Sequence, residues 1–288
     1  MAIPVPEQAS NMNARFRLSA VLVSISALIV IALGAFVSSR ANAPQTSWHP
    51  GVDATVHRFV ATAVGILVVW LVFWLSQAEP MPVVGWTALA FFVVNGCVGW
   101  MGGSVVVLHA TLAPLVFASF VAVAVVTSPG WKEAPEFADP KAAPMLRPLA
   151  MAAPPLLLLQ TLLGAAYRHK LTGVLPHVTF AILVTIVTLA EAALVLQHYP
   201  KHQTLRPAAA WLMFALIAQV VLGFTALTMQ LLQRGDSLAL ALVISTAVHV
   251  VVGSLTLAAS VVLAIQVWRH VRVASGEAQI PAMAQKDH

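Results

Sequence analysis

Eight apolar runs divide this chain, at about Leu18–Val37, Val56–Leu75, Val83–Met101, Val105–Val126, Pro148–Tyr167, Val174–Leu196, Ala208–Leu232 and Leu238–Val267. Each is near or above the roughly 20 residues that a helix needs to cross a bilayer. Lipid offers no partner to a backbone N–H or C=O, so such runs must close their own hydrogen bonds. They lack the polar–apolar alternation of barrel strands. They are therefore expected to be helices, and the fold to be an all-α membrane protein with eight transmembrane helices. Composition agrees: 60% of the 288 residues are hydrophobic, 9% are charged and mean hydropathy is +0.89. Soluble domains do not combine such values.

The formal charge of +5 does not point to nucleic acid, because the basic residues sit where membrane topology places them. With the N-terminus in the cytoplasm, the inner segments hold Arg15, Arg17, Lys132, Lys141, Arg147, Lys201, Arg206, Arg269, Arg272 and Lys286. The outer ones hold Arg40, Arg58, Arg168, Lys170 and Arg234. Ten against five places both termini inside. The first run is longer than the apolar part of a signal peptide, and it reads as an uncleaved helix. No Arg/Ser-rich transit segment precedes it, so a bacterial plasma membrane is expected. A single cysteine, Cys97, permits no internal disulfide.

The organisation expected is a polar N-terminal tail (1–15), a four-helix half (16–128), a linker rich in Pro and charge (129–147), a second four-helix half (148–270) and a tail (271–288). The halves read as pseudo-repeated four-helix bundles. Gln160-Thr161-Leu162-Leu163-Gly164 in the fifth run matches Gln219-Val220-Val221-Leu222-Gly223 in the seventh. Asn95-Gly96-Cys97-Val98-Gly99 in the third is a weaker version, and Leu33-Gly34 is what remains in the first. An amide there can hydrogen-bond between helices and the glycine permits close approach. Simple close packing explains these residues equally well.

Every even-numbered run carries one histidine: His57, His109, His177 and His249. An imidazole within a bilayer is costly unless paired, hydrated or liganded. His57, His109 and His177 lie within five residues of the start of their runs, and so share a depth. His249 matches them only if the eighth helix projects beyond the membrane. One turn on, Ala61, Ala113, Ala181 and Gly253 leave room on the same helix face. Two pairs of axial ligands for heme iron are one reading. Buried hydrogen-bonding residues or a proton path are the other. Zinc fits less well, because no Cys, Asp or Glu apart from Asp53 converges at that depth. The other six histidines read mostly as solvated. Glu191, the carboxylate well inside a run, is either protonated or reaches the interface.

These features resemble the heme A synthase family, the cytochrome oxidase assembly enzymes, over residues 16–270. His57-Arg58 is similar to its second-helix His-Arg pair. Asn95 through Met101 is similar to its third-helix Gln-Gly-x-Leu-Gly-x-x-Met segment, and Gln160 through Gly164 repeats that pattern. Thr46-Ser47-Trp48-His49-Pro50 resembles its first outer loop. The resemblance implies oxidation of the C8 methyl of heme O to a formyl group, giving heme A. It implies His177 and His249 as ligands of a cofactor heme b, with Ala181 and Gly253 beside it. It implies His57 and His109 flanking the substrate heme O, with Arg58 on a propionate. Implied partners are heme O synthase and cytochrome oxidase assembly factors, with an electron donor the sequence does not name; a homo-oligomer is compatible. Two departures stand out. The family's Glu three residues before the second-helix His is Ala54 here, with Asp53 beside it as the alternative acid, and the cysteine pair of the first outer loop is missing. The alternatives are a non-catalytic di-heme b protein for electron transfer or heme handling, and a transporter or scaffold without heme.

Overall fold

The computed structural model describes residues 6–41, 50–75, 82–232 and 239–272, with side chains except at 6–16, 41, 50–53, 74–75, 82–84, 104 and 132. The described residues are almost wholly helical. Eight long helices follow in order: α1 (Pro6–Ala41), α2 (Pro50–Leu75), α3 (Pro82–Met101), α4 (Val106–Val126), α5 (Ala143–Arg168), α6 (Val174–His198), α7 (Leu205–Leu232) and α8 (Ala239–His270). Seven are long and apolar enough to cross a membrane, and α3 adds the shorter apolar stretch Gly85–Met101. These helices are compatible with a multi-pass membrane protein. Their outward faces carry Phe59, Ile66, Trp70, Phe73, Ile182, Trp211 and Phe214, the surface that lipid covers.

Helix neighbours form two closed rings. In the first, α1 meets α2, α2 meets α3, α3 meets α4 and α4 returns to α1. In the second, α5 meets α6, α6 meets α7, α7 meets α8 and α8 returns to α5. The rings join where α8 packs on α1 and α4, and α4 packs on α5. Within each ring the even helices run in one direction and lie diagonally across the axis. Lipid is as apolar as a leucine, so helix packing rather than water exclusion holds the rings together. One buried cluster reaches across both, with Val68, Leu71, Phe120 and Val123 against Leu157, Val184 and Leu257. A second fills the far end of the C-terminal ring with Leu146, Val195, Leu205, Leu212, Leu263 and Val267.

Two turns set the register. Between α3 and α4, Gly102 and Gly103 both have positive φ, 61° and 59°; this region strains most other residues, and the tight turn brings His109 back beside α3. After α5, Lys170 takes φ 61°. The Leu171 N–H bonds Ala166 O and the Lys170 N–H bonds Tyr167 O, the paired bonds of a Schellman end. α1 begins at Pro6, within the stretch expected as a polar tail.

The 129–142 segment is strapped over the end of the C-terminal ring. The Ala138 N–H donates to His270 O at 2.9 Å. The Glu136 carbonyl accepts from His270 Nδ1 at 2.8 Å and from His202 Nε2 at 3.2 Å. His202 Nδ1 accepts the Thr204 and Leu205 N–H groups, both at 3.2 Å, and so caps the start of α7. The Tyr199 hydroxyl donates to Asp139 O at 2.8 Å. Burial, and then the Asp139 charge, pushes that phenol above its ordinary pKa and keeps it a donor. Arg147, Arg269 and Arg272 lie over Trp268, Trp131 and Phe137. His202 and His270 are thus buried, not solvated as expected. Their shared acceptor, the Glu136 carbonyl, comes from a linker whose Pro and charge gave no hint of docking.

Candidate functional site: two histidine pairs

The structure brings the four histidines together two by two. His57 and His109, from diagonal helices α2 and α4, have ring centroids 6.4 Å apart and planes at 80°. His177 and His249, from α6 and α8, have centroids 6.4 Å apart and planes at 88°. All four rings are half-buried. His249 reaches this level because α8 starts ten residues before it, while α6 starts three residues before His177.

Each ring lies against a glycine of the preceding odd helix. A methyl group at Gly34 would sit 2.9 Å from His57; at Gly99, 2.6 Å from His109; at Gly164, 2.9 Å from His177; at Gly223, 3.1 Å from His249. Contacts below 3.0 Å are sterically refused, so three of these positions exclude even alanine unless the ring moves, and Gly223 is only slightly looser. Four residues before each of the last three glycines stands the amide seen in the sequence. Only its backbone serves at Asn95: His109 Nδ1 donates to the Asn95 carbonyl at 3.0 Å. A carbonyl only accepts, so His109 carries a proton on Nδ1, and Nε2 is the nitrogen left for another partner. The Gln160 amide donates to the His177 carbonyl and lies 3.0 Å from His177 Nδ1. The Gln219 amide lies 3.3 Å from His249 Nε2. Close packing and ring orientation are therefore one device.

The spacing can be tested against metal chemistry. A metal–imidazole bond is ~2.0–2.1 Å and the ring centre lies ~1.1 Å behind the nitrogen, so two rings sharing one metal have centroids about 6.3 Å apart. Both pairs meet that value. In each pair one buried nitrogen has no hydrogen-bond partner, His57 Nδ1 and His249 Nδ1, and an orphaned buried nitrogen is costly. Among the described residues, no three His, Cys, Asp or Glu side chains gather. A bare zinc ion takes at least three protein ligands. Two nitrogens suffice for iron when a macrocycle provides the rest of the coordination. The residues present fit an iron porphyrin.

Other expected residues are placed as follows. Arg58 is exposed on α2 and Ala181 is half-buried on α6. A methyl at Gly253 would meet the Gln219 amide at 2.9 Å, so its smallness makes room for that side chain. The side chain of Asp53, the 46–49 segment and the tail beyond residue 272 lie outside the described residues.

Arg168 counts with the basic residues of the outer segments, next to the end of the fifth run. It ends α5, half-buried, with Nη2 donating to Ala35 O and Ser39 Oγ of α1. Its Nε is buried without a partner. Its charge reaches His249 and His169. No carboxylate pairs with it among the described residues. Burial first, then the Arg168 and His109 charges, lowers the pKa of His169. The signal available in sequence was one basic residue at the end of an apolar run, which topology alone explained. No protein-family model and no curated protein matches the chain.

Proposed function

We propose that each bundle clasps one iron porphyrin between its histidines, and that the chain is a heme A synthase-like membrane oxidoreductase. The observation that carries this reading is the pair of 6.4 Å histidine separations, equal in two bundles and suited to one metal between two rings. The recurrence of the glycine contact in all four helix pairs supports halves that are copies of one unit. The ten-to-five basic asymmetry supports both termini on the cytoplasmic side of a bacterial plasma membrane.

A bound heme supplies one-electron and oxygen chemistry. The chain's residues do the rest. His177 and His249 hold heme b as the resident cofactor, and His57 and His109 hold heme O as substrate. The four glycines fix where each ring can stand. Arg168 offers a buried guanidinium to an anionic edge such as a propionate, since it has no carboxylate of its own. Val68, Leu71 and Phe120 form an apolar floor beneath the first pair, which keeps water from the substrate side.

One observation favours the non-catalytic di-heme reading. Ala54, one turn before His57, offers no acid or base. Co-expression with a heme O synthase separates the two. Heme A in the extracted pigment, identified by mass, is the expected result. Heme O and heme B alone, with formyl heme appearing only in Ala54→Glu, assigns the chain to heme handling.

A further inference from the structure

Helical hydroxyls in this chain commonly donate to the carbonyl one turn back, as Thr111 does to Val107, Thr161 to Leu157, Ser254 to Val250 and Thr256 to Val252. Thr188 and Ser260 do not. Both are 0% exposed, and both hydroxyls are without a partner. Glu191 is also 0% exposed, and neither carboxylate oxygen has a partner.

The three residues belong together. Thr188 stands eleven residues after His177, and Ser260 eleven after His249. Eleven residues is about three turns, so both return to the histidine face, about 16 Å along the axis. Glu191 follows Thr188 by one turn on the same face. Since His177 and His249 meet across the ring, these oxygens share a level on its inward side.

Among the described residues no ion pair reaches Glu191, and no charged group acts on it. His177 lies about 21 Å up the axis of α6, His249 lies at that same level on α8, and Tyr167 and Arg168 end α5 on that side. The other charged and titratable groups of the surrounding elements lie at the far helix ends: Arg147 on α5, His198 on α6, Arg206 on α7, Arg269 and His270 on α8, with Tyr199, Lys201 and His202 in the connection. Arg147 and Arg269 are already stacked on tryptophans. A lone buried carboxylate is prohibitively costly, so the group must carry a proton or a cation. A hard cation such as calcium gathers six to eight oxygens. Here continuous helices keep their carbonyls bonded, and three side chains are what remains. A proton fits.

We propose that Glu191, Thr188 and Ser260 form a proton-binding site of the C-terminal bundle, exchanging its proton with the aqueous phase at the far end. The carboxyl carries the proton as an O–H that no hydrogen bond holds in this structure, and the two idle hydroxyls make its surroundings polar. Exchange breaks that O–H bond, passes the proton to water and takes one back; no electron moves. The far end is the nearer exit, seven residues or about 10 Å from Glu191, against about 21 Å to His177. The apolar layer of Val195, Leu212 and Leu263 makes exchange wait on packing fluctuations. The site goes beyond the porphyrin reading and does not require it.

Infrared spectroscopy of the full chain in lipid vesicles tests this. The C=O stretch of a protonated carboxylic acid should be present at neutral pH and absent in Glu191→Gln. In D2O it should shift within minutes, while the core amides of α6 stay unexchanged for hours. The double variant Thr188→Val/Ser260→Ala should move the band without removing it. The proposal is overturned by a wild-type spectrum without a Glu191-dependent band, by a band neither variant alters, or by exchange no faster than the α6 amides. Porphyrin absorbance of the same samples is read separately: colourless protein with an exchanging band sinks the heme reading alone, and coloured protein with an inert band sinks this one alone.

Discussion

The two bundles agree at the histidine level and disagree beneath it. Eleven and fourteen residues past the histidines, the N-terminal bundle buries Val68, Leu71, Phe120 and Val123. The same positions in the C-terminal bundle are Thr188, Glu191, Ser260 and Leu263, all 0% exposed. Equal burial with unequal polarity shows that the lower layer is not dictated by helix packing, since the same ring geometry closes over either set. The upper layer is constrained: at all four glycines of the odd helices a methyl group would come within 2.6–3.1 Å of the facing ring. The N-terminal bundle fills this level with apolar side chains alone. The C-terminal bundle sets two hydroxyls and a carboxyl there, equally buried.

The comparison can be pressed by substitution. The largest effect is expected from Phe120→Ala, which opens a cavity in the apolar floor and costs about 3–5 kcal/mol. A drop in unfolding midpoint smaller than that of the conservative Val123→Ala would break the claim of a tight floor. Next, Gly99→Leu and Gly164→Leu push a side chain into the His109 and His177 rings. Each should weaken porphyrin binding in its own bundle by about 10–100-fold, the usual loss when ligand orientation is disturbed. Equal loss in both bundles would mean that the rings are not positioned locally. Ser260→Val should change stability by about 1 kcal/mol or less, or increase it, because the hydroxyl lost makes no bond. A large loss would show a partner that the geometry lacks. His202→Phe removes the α7 cap and should cost about 1 kcal/mol, read as earlier melting of the C-terminal bundle alone.

The smallest effect concerns pH. The His169 pKa is lowered in the folded chain, so the unfolded chain binds more protons. Stability is then highest above the ordinary histidine pKa of about 6.5 and falls as pH drops below it. Replacing His169 with Gln should flatten that acid-side slope, followed by melting at stepped pH.

Much of this was legible in sequence. Apolar run length located all eight helices, because lipid removes every alternative to backbone self-bonding. The histidines and glycines were legible too, since both are rare in kind or in spacing within such runs. Pairing was not. Helices apolar all round, such as α4, have no polar face from which to read orientation, so the 6.4 Å separations needed three dimensions. The contacts of Arg168 and the burial of His202 and His270 were not legible for a related reason. Their partners are the α1 carbonyl of Ala35 and the linker carbonyl of Glu136, and backbone acceptors leave no trace in residue type. Glu191 was visible as an anomaly. The two idle hydroxyls at its level were not, because a helical Ser or Thr ordinarily bonds its own backbone.

The most direct test is the porphyrin content of the purified chain, by absorption and by iron per polypeptide. His57→Ala/His109→Ala and His177→Ala/His249→Ala should each abolish binding in one bundle and leave the other intact, and the fourfold variant should be colourless. Colourless wild-type protein supplied with heme, or absorbance unchanged in the fourfold variant, would contradict the account.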